Sequence, residues 1–434
     1  MSEVLGIGIA GLGTVGAEVA RLITERGDHL AERAGRPIKV VAVSARDRTK
    51  DRGVDLSGVA WEDDAVALAA RDDVGLVCEV IGGSEGTAKE LVEAALDAGK
   101  SVVTANKALL AHHGTDLAKR AEAKGVALAY EAAVAGGIPI IRALRDGFVA
   151  DRVRRVTGIL NGTCNFILTV MRETGRAFDD VLAEAQELGY AEADPSFDVD
   201  GVDAAHKLAL LTALCFGREV DFNSVHIEGI RRISPVDISF ATELGYKIKL
   251  LGVAEIDGEG EQAGVSQRVH PCMVPISAPI AGVEDVFNAV TVEADPVGSG
   301  MLQGRGAGAG PTASAVLGDI VDIATGRMAP AFGRPAVSLA PAKAAPLSAH
   351  VGSFYIRLMV IDKPGVLADI TGILRDEHVS MESMIQRGRD PMEMVPLVLV
   401  THEVAESSMQ AALAKISALD VVVEEPAMIR IVEG

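Results

Sequence analysis

Asp203 and Lys207 stand four residues apart within 201–217, a run whose spacing predicts a helix, so they share one face. That face continues through Leu210, Leu211 and Leu214, towards apolar surroundings. An ammonium carried there is partly desolvated, which lowers its pKa and suits it to protonate a carbonyl oxygen while hydride reaches the carbon. The same spacing also reads as an ordinary surface ion pair. His206, the competing acid–base group, lies one residue off that face and reads as structural. His112 and His113 read as loop residues without a role.

Gly11-Leu12-Gly13-Thr14-Val15-Gly16 fits G-x-G-x-x-G, after an apolar strand and before a helical pattern. In that context Gly11 permits the tight turn, Gly13 lets backbone approach a pyrophosphate, and Gly16 allows close packing. The second strand ends without the acid that an NAD ribose prefers. Arg46, Arg48 and Lys50 follow instead and could take a 2′-phosphate, which points to NADP with NAD as the alternative. A solvated basic loop is the other reading of those charges.

These residues need positioning elements. Apolar strands at 4–10, 38–44, 75–81, 101–106 and 126–130 alternate with helical patterns. Strands apolar along their whole length predict a parallel sheet covered on both faces, a Rossmann-type α/β domain over 1–133. Residues 134–330 mix helices (179–188, 201–217) with strands (247–256, 286–293) and read as an α+β substrate domain. There, Gly304–Gly310 leads into a helix at 312–325, and 306–330 packs back on the first domain. Residues 331–350, rich in Pro, Ala and Ser, read as a linker. Over 351–434 the pattern is strand 353–361, helix 366–377, strands 380–389 and 394–402, helix 405–418 and strand 421–432, a ferredoxin-like βαββαβ unit.

Composition excludes several classes. A formal net charge of -20 leaves no cationic excess for nucleic acid or an anionic membrane. The four cysteines are far apart and form no C-x-x-C, which fits a reducing compartment. The N-terminus runs straight into a strand, so a cytoplasmic enzyme is expected.

Six segments in order resemble homoserine dehydrogenase with a C-terminal ACT domain: GLGTVG (11–16), ANKALL (105–110), EAAVAGGIPII (131–141), LNGTCNFI (160–167), GYAEADPSFDVDGVDAAHKL (189–208) and GAGAGPTASAVLGD (306–319). The resemblance implies reversible NAD(P)H-dependent reduction of L-aspartate 4-semialdehyde to L-homoserine, in threonine, methionine and isoleucine biosynthesis. By that resemblance Lys207 is the proton donor, and Glu192 and Asp203 bind substrate. Lys107 lies near nicotinamide and substrate, and Gly83, Ser84, Gly189, Gly306 and Gly308 contact the cofactor. A structural monovalent cation, sodium in the family, is held by Glu131 and the carbonyls of Val134, Gly136 and Ile138. An amino-acid effector, threonine, meets Asp362, Gly365, Val366 and Leu367, and the middle domain makes a homo-oligomer, dimer or tetramer. The family often carries Glu where this chain has Asp200. Two other functions stay open: an inactive amino-acid sensor built on the ACT unit, and aspartate semialdehyde dehydrogenase, for which Cys164 is the candidate nucleophile.

Overall fold

The structure is a computed structural model and describes residues 3–258, 260, 263–387 and 394–432. The first part of the chain alternates strand and helix: β1 (Leu5–Ala10), α1 (Thr14–Glu25), α2 (Gly27–Ala34), β2 (Ile38–Ser44), β3 (Ala60–Trp61), β4 (Leu76–Glu79), α3 (Thr87–Asp97), β5 (Ser101–Thr104), α4 (Lys107–Ala123) and β6 (Leu128–Ala129). All six strands are parallel, in the order β3-β2-β1-β4-β5-β6. Every residue of β1, β4 and β5 is buried, because helices cover both sheet faces. Strand order reverses at β1/β4, so the loops after these two strands part and leave a crevice at the carboxyl edge. His112 and His113 lie inside α4, not on a loop as their sequence suggested; Asn106 caps the helix and Ala- and Leu-rich turns carry it past them.

The middle of the chain continues with α5 (Ala132–Ala135), α6 (Ile140–Arg142), β7 (Arg152–Ile159), α7 (Gly162–Thr174), α8 (Phe178–Glu187), α9 (Ser196–Val199), α10 (Val202–Phe216), β8 (His226–Ile227), α11 (Pro235–Glu243), β9 (Tyr246–Asp257), β10 (Gly264–Pro275), β11 (Phe287–Asp295), β12 (Gly298–Arg305) and α12 (Ala309–Ala324). Helix α10 is buried around nearly its whole circumference. Helix α12 begins at Ala309, inside the glycine run and before the expected 312. Pro311 falls in its first turn, where a missing N–H leaves no intrahelical bond unmade. Ala313, Val316, Leu317 and Ile320 of α12 share one apolar core with Ile7, Ile9, Val19 and Ile23.

The last part holds β13 (Val351–Ile361), α13 (Val366–Asp376), β14 (Met381–Gln386), β15 (Met394–Thr401), β16 (Val404–Ala405), α14 (Glu406–Ser417) and β17 (Ala427–Ile431). Positions 388 and 389 of the expected strand 380–389 lie outside the described residues. The final strand is shorter than 421–432. It sits beside β10 in parallel, Cys272 opposite Arg430, so the middle and C-terminal parts share one 11-stranded sheet.

Two buried charge clusters seal that junction. The Asp237 carboxylate, fully buried in the capping box of α11, accepts from Tyr355 Oη at 3.1 Å and Arg357 Nε at 2.8 Å on β13. Arg430, 2% exposed, donates from Nε to Glu406 at 2.9 Å and from Nη1 and Nη2 to Glu228 at 3.0 and 2.9 Å. The 331–350 stretch lacks periodicity yet is anchored. Phe332 is buried, the Tyr130 hydroxyl donates to the Ala331 carbonyl, and Ala340 exchanges backbone bonds with Gly217 and Glu219.

Candidate functional site

The crevice forms where the β1 glycine turn, the β4 loop, the start of α4 and the 306–312 run converge. It measures about 320 Å³ and is lined by Gly13, Thr14, Val15, Ala105, Lys107, Val134, Gly306, Lys207 and neighbours. Gly11 holds φ +95°, and a Cβ on Gly16 would lie 1.9 Å from the Gly11 carbonyl oxygen. Both glycines are therefore required by the turn itself. A Cβ on Gly13 would meet nothing within 4 Å, so its face is open to the cleft. Among the described residues no side chain caps α1, which leaves its first amides for an anion. The turn thus fits a dinucleotide pyrophosphate.

A carboxylate that sequence reasoning passed over organises the adjacent loops. Glu79, fully buried at the end of β4, accepts from the amides of Ile81 and Gly82 at 2.8 and 3.2 Å, and from Thr104 Oγ1 at 2.6 Å. Thr104 Oγ1 in turn accepts from the Asn106 amide, and Asn106 Nδ2 donates to the Gly83 carbonyl at 2.7 Å. Asn106 Oδ1 caps α4, whose first residue is Lys107. An acid in the otherwise apolar GLVCEVI was the available signal. A cation at a helix N-terminus opposes the helix dipole. Asp203 Oδ1, 3.1 Å from Lys107 Nζ, offsets this.

Asp203 is shared between two lysines. Its Oδ2 accepts from Lys207 Nζ at 2.7 Å, and the same ammonium donates to the Leu160 carbonyl at 2.7 Å. One N–H of Lys207, which lines the cleft, remains for a ligand. Burial lowers the Lys207 pKa, against the pull of Asp203. Burial also disfavours the Asp203 anion, but the Lys207 and Lys107 charges outweigh this and hold its carboxyl below the usual range. Asn161 is a second residue that sequence reading left without a role. It caps α7 through Cys164 N and donates from Nδ2 to Asp198 and Asp203 at 2.8 and 2.9 Å. His206 is packed by Phe222, Phe197 and His112 and pushed down to about 4 by burial, so it is a neutral packing group at pH 7.

The other sequence candidates form no hydrogen bond or ion pair with the Lys207–Asp203–Lys107 centre among the described residues. Glu192 is exposed and makes no ion pair among the described residues. Gly189 ends α8 at φ +75°, while Gly83, Ser84 and Gly308 lie outside the immediate lining. Asp200 pairs with Arg231 near the surface. Arg46 and Lys50 are exposed beyond β2, on a loop tied to the glycine turn by Arg52, whose Nε donates to the Leu12 carbonyl at 3.1 Å. In the C-terminal part, Gly365 (φ +102°) opens α13 without a side-chain cap; Asp362 is half-buried, Val366 buried and Leu367 partly exposed.

Glu131 is buried, with its two oxygens accepting the Ile141 and Arg142 amides at 2.8 and 2.9 Å. Its own amide donates to Asp319, which burial pushes up to about 7 with the Glu131 charge adding to the effect. Among the described residues no group of three or more His, Cys, Asp or Glu could hold a metal. A hard monovalent cation resting on one carboxylate and the carbonyls of 134–138 nevertheless fits two buried acids with only partial arginine compensation.

Comparison with known proteins agrees with this architecture. Family models match residues 11–131 (homoserine dehydrogenase, NAD binding domain), 139–321 (homoserine dehydrogenase) and 354–421 (ACT domain). The homoserine dehydrogenase of Neisseria gonorrhoeae is 45% identical over 98% of both chains. That of Corynebacterium glutamicum is 44% identical over 98% of this chain and 95% of its own. The crystal structure of a homoserine dehydrogenase from Thiobacillus denitrificans superimposes with TM-score 0.92 at 43% identity, over 99% of each chain. A hyperthermophilic archaeal homoserine dehydrogenase in complex with NADPH matches 76% of this chain and 100% of its own at TM-score 0.63 and 27% identity. With its glycine turn, its lysine–aspartate centre and a C-terminal ACT domain, the chain belongs to the homoserine dehydrogenase family.

Proposed function

We propose that this chain interconverts L-homoserine and L-aspartate 4-semialdehyde with NADP(H), in the cytoplasm, as a step towards threonine, methionine and isoleucine. The observation that carries this reading is Lys207, held by Asp203 and the Leu160 carbonyl with its ammonium facing the cleft beside the glycine turn. When bound, the dinucleotide supplies hydride to the aldehyde carbon or takes it from the alcohol. Lys207 gives its proton to the carbonyl oxygen in reduction and, once neutral, receives it in oxidation. Asp203 keeps Lys207 and Lys107 in register and, with Glu192, meets the substrate ammonium. The amides and glycines of 11–16, with Gly83, Ser84, Lys107, Gly189, Gly306 and Gly308, hold the cofactor. The cation, sodium in this reading, is structural and rests on Glu131 and the carbonyls of Val134, Gly136 and Ile138.

Homoserine-dependent NADP reduction by purified protein at alkaline pH tests the reading; its absence under every monovalent cation would end it. The thioester chemistry of an aspartate semialdehyde dehydrogenase is disfavoured: the Cys164 thiol is fully buried, and burial with nearby Asp198 and Asp203 raises its pKa well above normal. The lysine–aspartate centre is intact, which also speaks against a sensor without catalysis.

The preference for NADP rests on Arg46 and Lys50. R46E/K50E is expected to raise the KM for NADP by about tenfold or more while leaving that for NAD nearly unchanged, as measured by initial rates with each cofactor. Glu79→Gln preserves shape but sets an amide N–H against the Ile81 and Gly82 amides or removes the acceptor for Thr104. A loss of about tenfold in kcat/KM with unchanged circular dichroism is expected, since Lys107 and the cofactor loop are displaced together. Threonine is assigned to the turn at Asp362, Gly365, Val366 and Leu367 of an oligomer. Gly365→Val is expected to abolish threonine inhibition and leave the uninhibited rate intact.

A further inference from the structure

A second cleft, of about 880 Å³, lies away from the lysine–aspartate centre. One wall is α1 and α2, the other is the turn after α6 together with residues 327–329, and α12 forms the floor. Small residues of α12, Gly310, Ser314 and Gly318, recur every fourth position and leave the space open. Six arginines line it: Arg21, Arg26, Arg33, Arg142, Arg145 and Arg327. Three acids, Glu18, Asp146 and Asp322, face them, so the lining carries about +3 in a chain of net charge -20.

The pairing within the cleft is uneven. Glu18 binds Arg21, Asp146 binds Arg145, and Asp322 is shared by Arg142 and Arg327. Arg26 and Arg33 have no ion pair or side-chain hydrogen bond among the described residues. They flank His29 at positions 26, 29 and 33, on one face around α2, and all three border the cleft. Leu22, Leu317 and Val321 supply an apolar floor between the charged walls. Free guanidinium forks recognise phosphate in bidentate fashion, and an apolar floor suits a planar ring. The volume lies within the range of small-molecule sites.

We infer that this cleft binds a polyphosphorylated anion, a nucleoside polyphosphate or a free polyphosphate, bridging the dinucleotide-binding unit and the middle unit. The site is separate from the proposed cofactor crevice and does not depend on the proposed reaction. The test is calorimetric titration of the full chain, saturated with NADP so that the crevice is filled, at constant ionic strength. ATP and inorganic tripolyphosphate are the probes. Saturable binding is expected, weakened by about tenfold or more in R26A/R33A, whose homoserine oxidation stays within about twofold of wild type. Tighter binding of ATP assigns the apolar floor to the base; equal binding assigns the site to the phosphate chain alone. No saturable binding of either probe, or equal affinity in wild type and R26A/R33A, overturns the inference. Binding that disappears when NADP saturates the chain assigns the anion to the cofactor crevice and overturns it equally. R26K/R33K, which keeps charge but not the fork, is expected to recover only part of the affinity.

Discussion

Lys207→Met is expected to lower kcat for homoserine oxidation by about two to four orders of magnitude while leaving NADP affinity nearly unchanged. Methionine keeps the length and apolar stem of the side chain and removes only the proton carrier. Asp203 remains ion-paired with Lys107, so the centre keeps a compensating charge. Initial rates and cofactor titration on the same preparation check both halves. The pH profile gives a sharper signature. Oxidation needs neutral Lys207, so its rate rises with pH through the Lys207 pKa; reduction needs the ammonium and falls over the same range. Burial places that pKa below the ordinary lysine value. Asp203→Asn removes the charge that opposes burial, and the oxidation profile is expected to move to lower pH. A profile unmoved by Asp203→Asn would take the ionising group away from Lys207. The same depressed pKa bears on folding. Between the folded and unfolded lysine values the unfolded chain binds more protons, so this residue's contribution to stability grows as pH rises through that window.

Arg430→Met should destabilise the fold by about 3–5 kcal/mol, read from denaturant unfolding. The physical reason is what it leaves behind. Glu406 is fully buried and Glu228 is partly so, and both depend on this guanidinium. The cost is that of unpaired buried charge more than of a lost attraction, so R430M/E406Q is expected to recover part of it. If the double variant is no more stable than R430M, that account fails. Acid strengthens the test. Burial works against the Glu228 anion, but its bonds to His226 and Arg430 outweigh this and hold its carboxyl well below the usual range. Its stabilising contribution is therefore complete at neutral pH and lost as pH falls below the unfolded carboxylate value, about 4. In R430M that acid-labile part is expected to be missing, so the stability deficit against wild type shrinks as pH falls and the unpaired carboxylates take up protons. Since Arg430 lies on the strand that joins the C-terminal unit to β10, the same variant reports how firmly that unit is held.

Local chemistry by itself determined the parts of this protein that neighbours in sequence decide. The turn at 11–16 follows from sterics within six residues, because Gly16 must clear the Gly11 carbonyl. The Asp203–Lys207 contact follows from helical spacing, and the parallel sheet from strands apolar on both faces. The βαββαβ order of the last unit was legible for the same reason. What only the tertiary structure decided is where isolated charges in apolar strands find partners. Glu79 in GLVCEVI, Arg357 in FYIRLMV and Arg430 in AMIRIV each stand as a lone charge in an apolar run. Their partners lie as far as 202 residues away, as for Arg430 and Glu228, beyond any periodic signal. Likewise the backbone bonds that hold the 331–350 linker are scattered and have no period. The arginine cleft depends on bringing residues 21–33 opposite 142–146 across α12, a juxtaposition that no single stretch encodes. Short-range sterics and periodicity are written along the chain; the neutralisation of buried charge is a property of the packed whole.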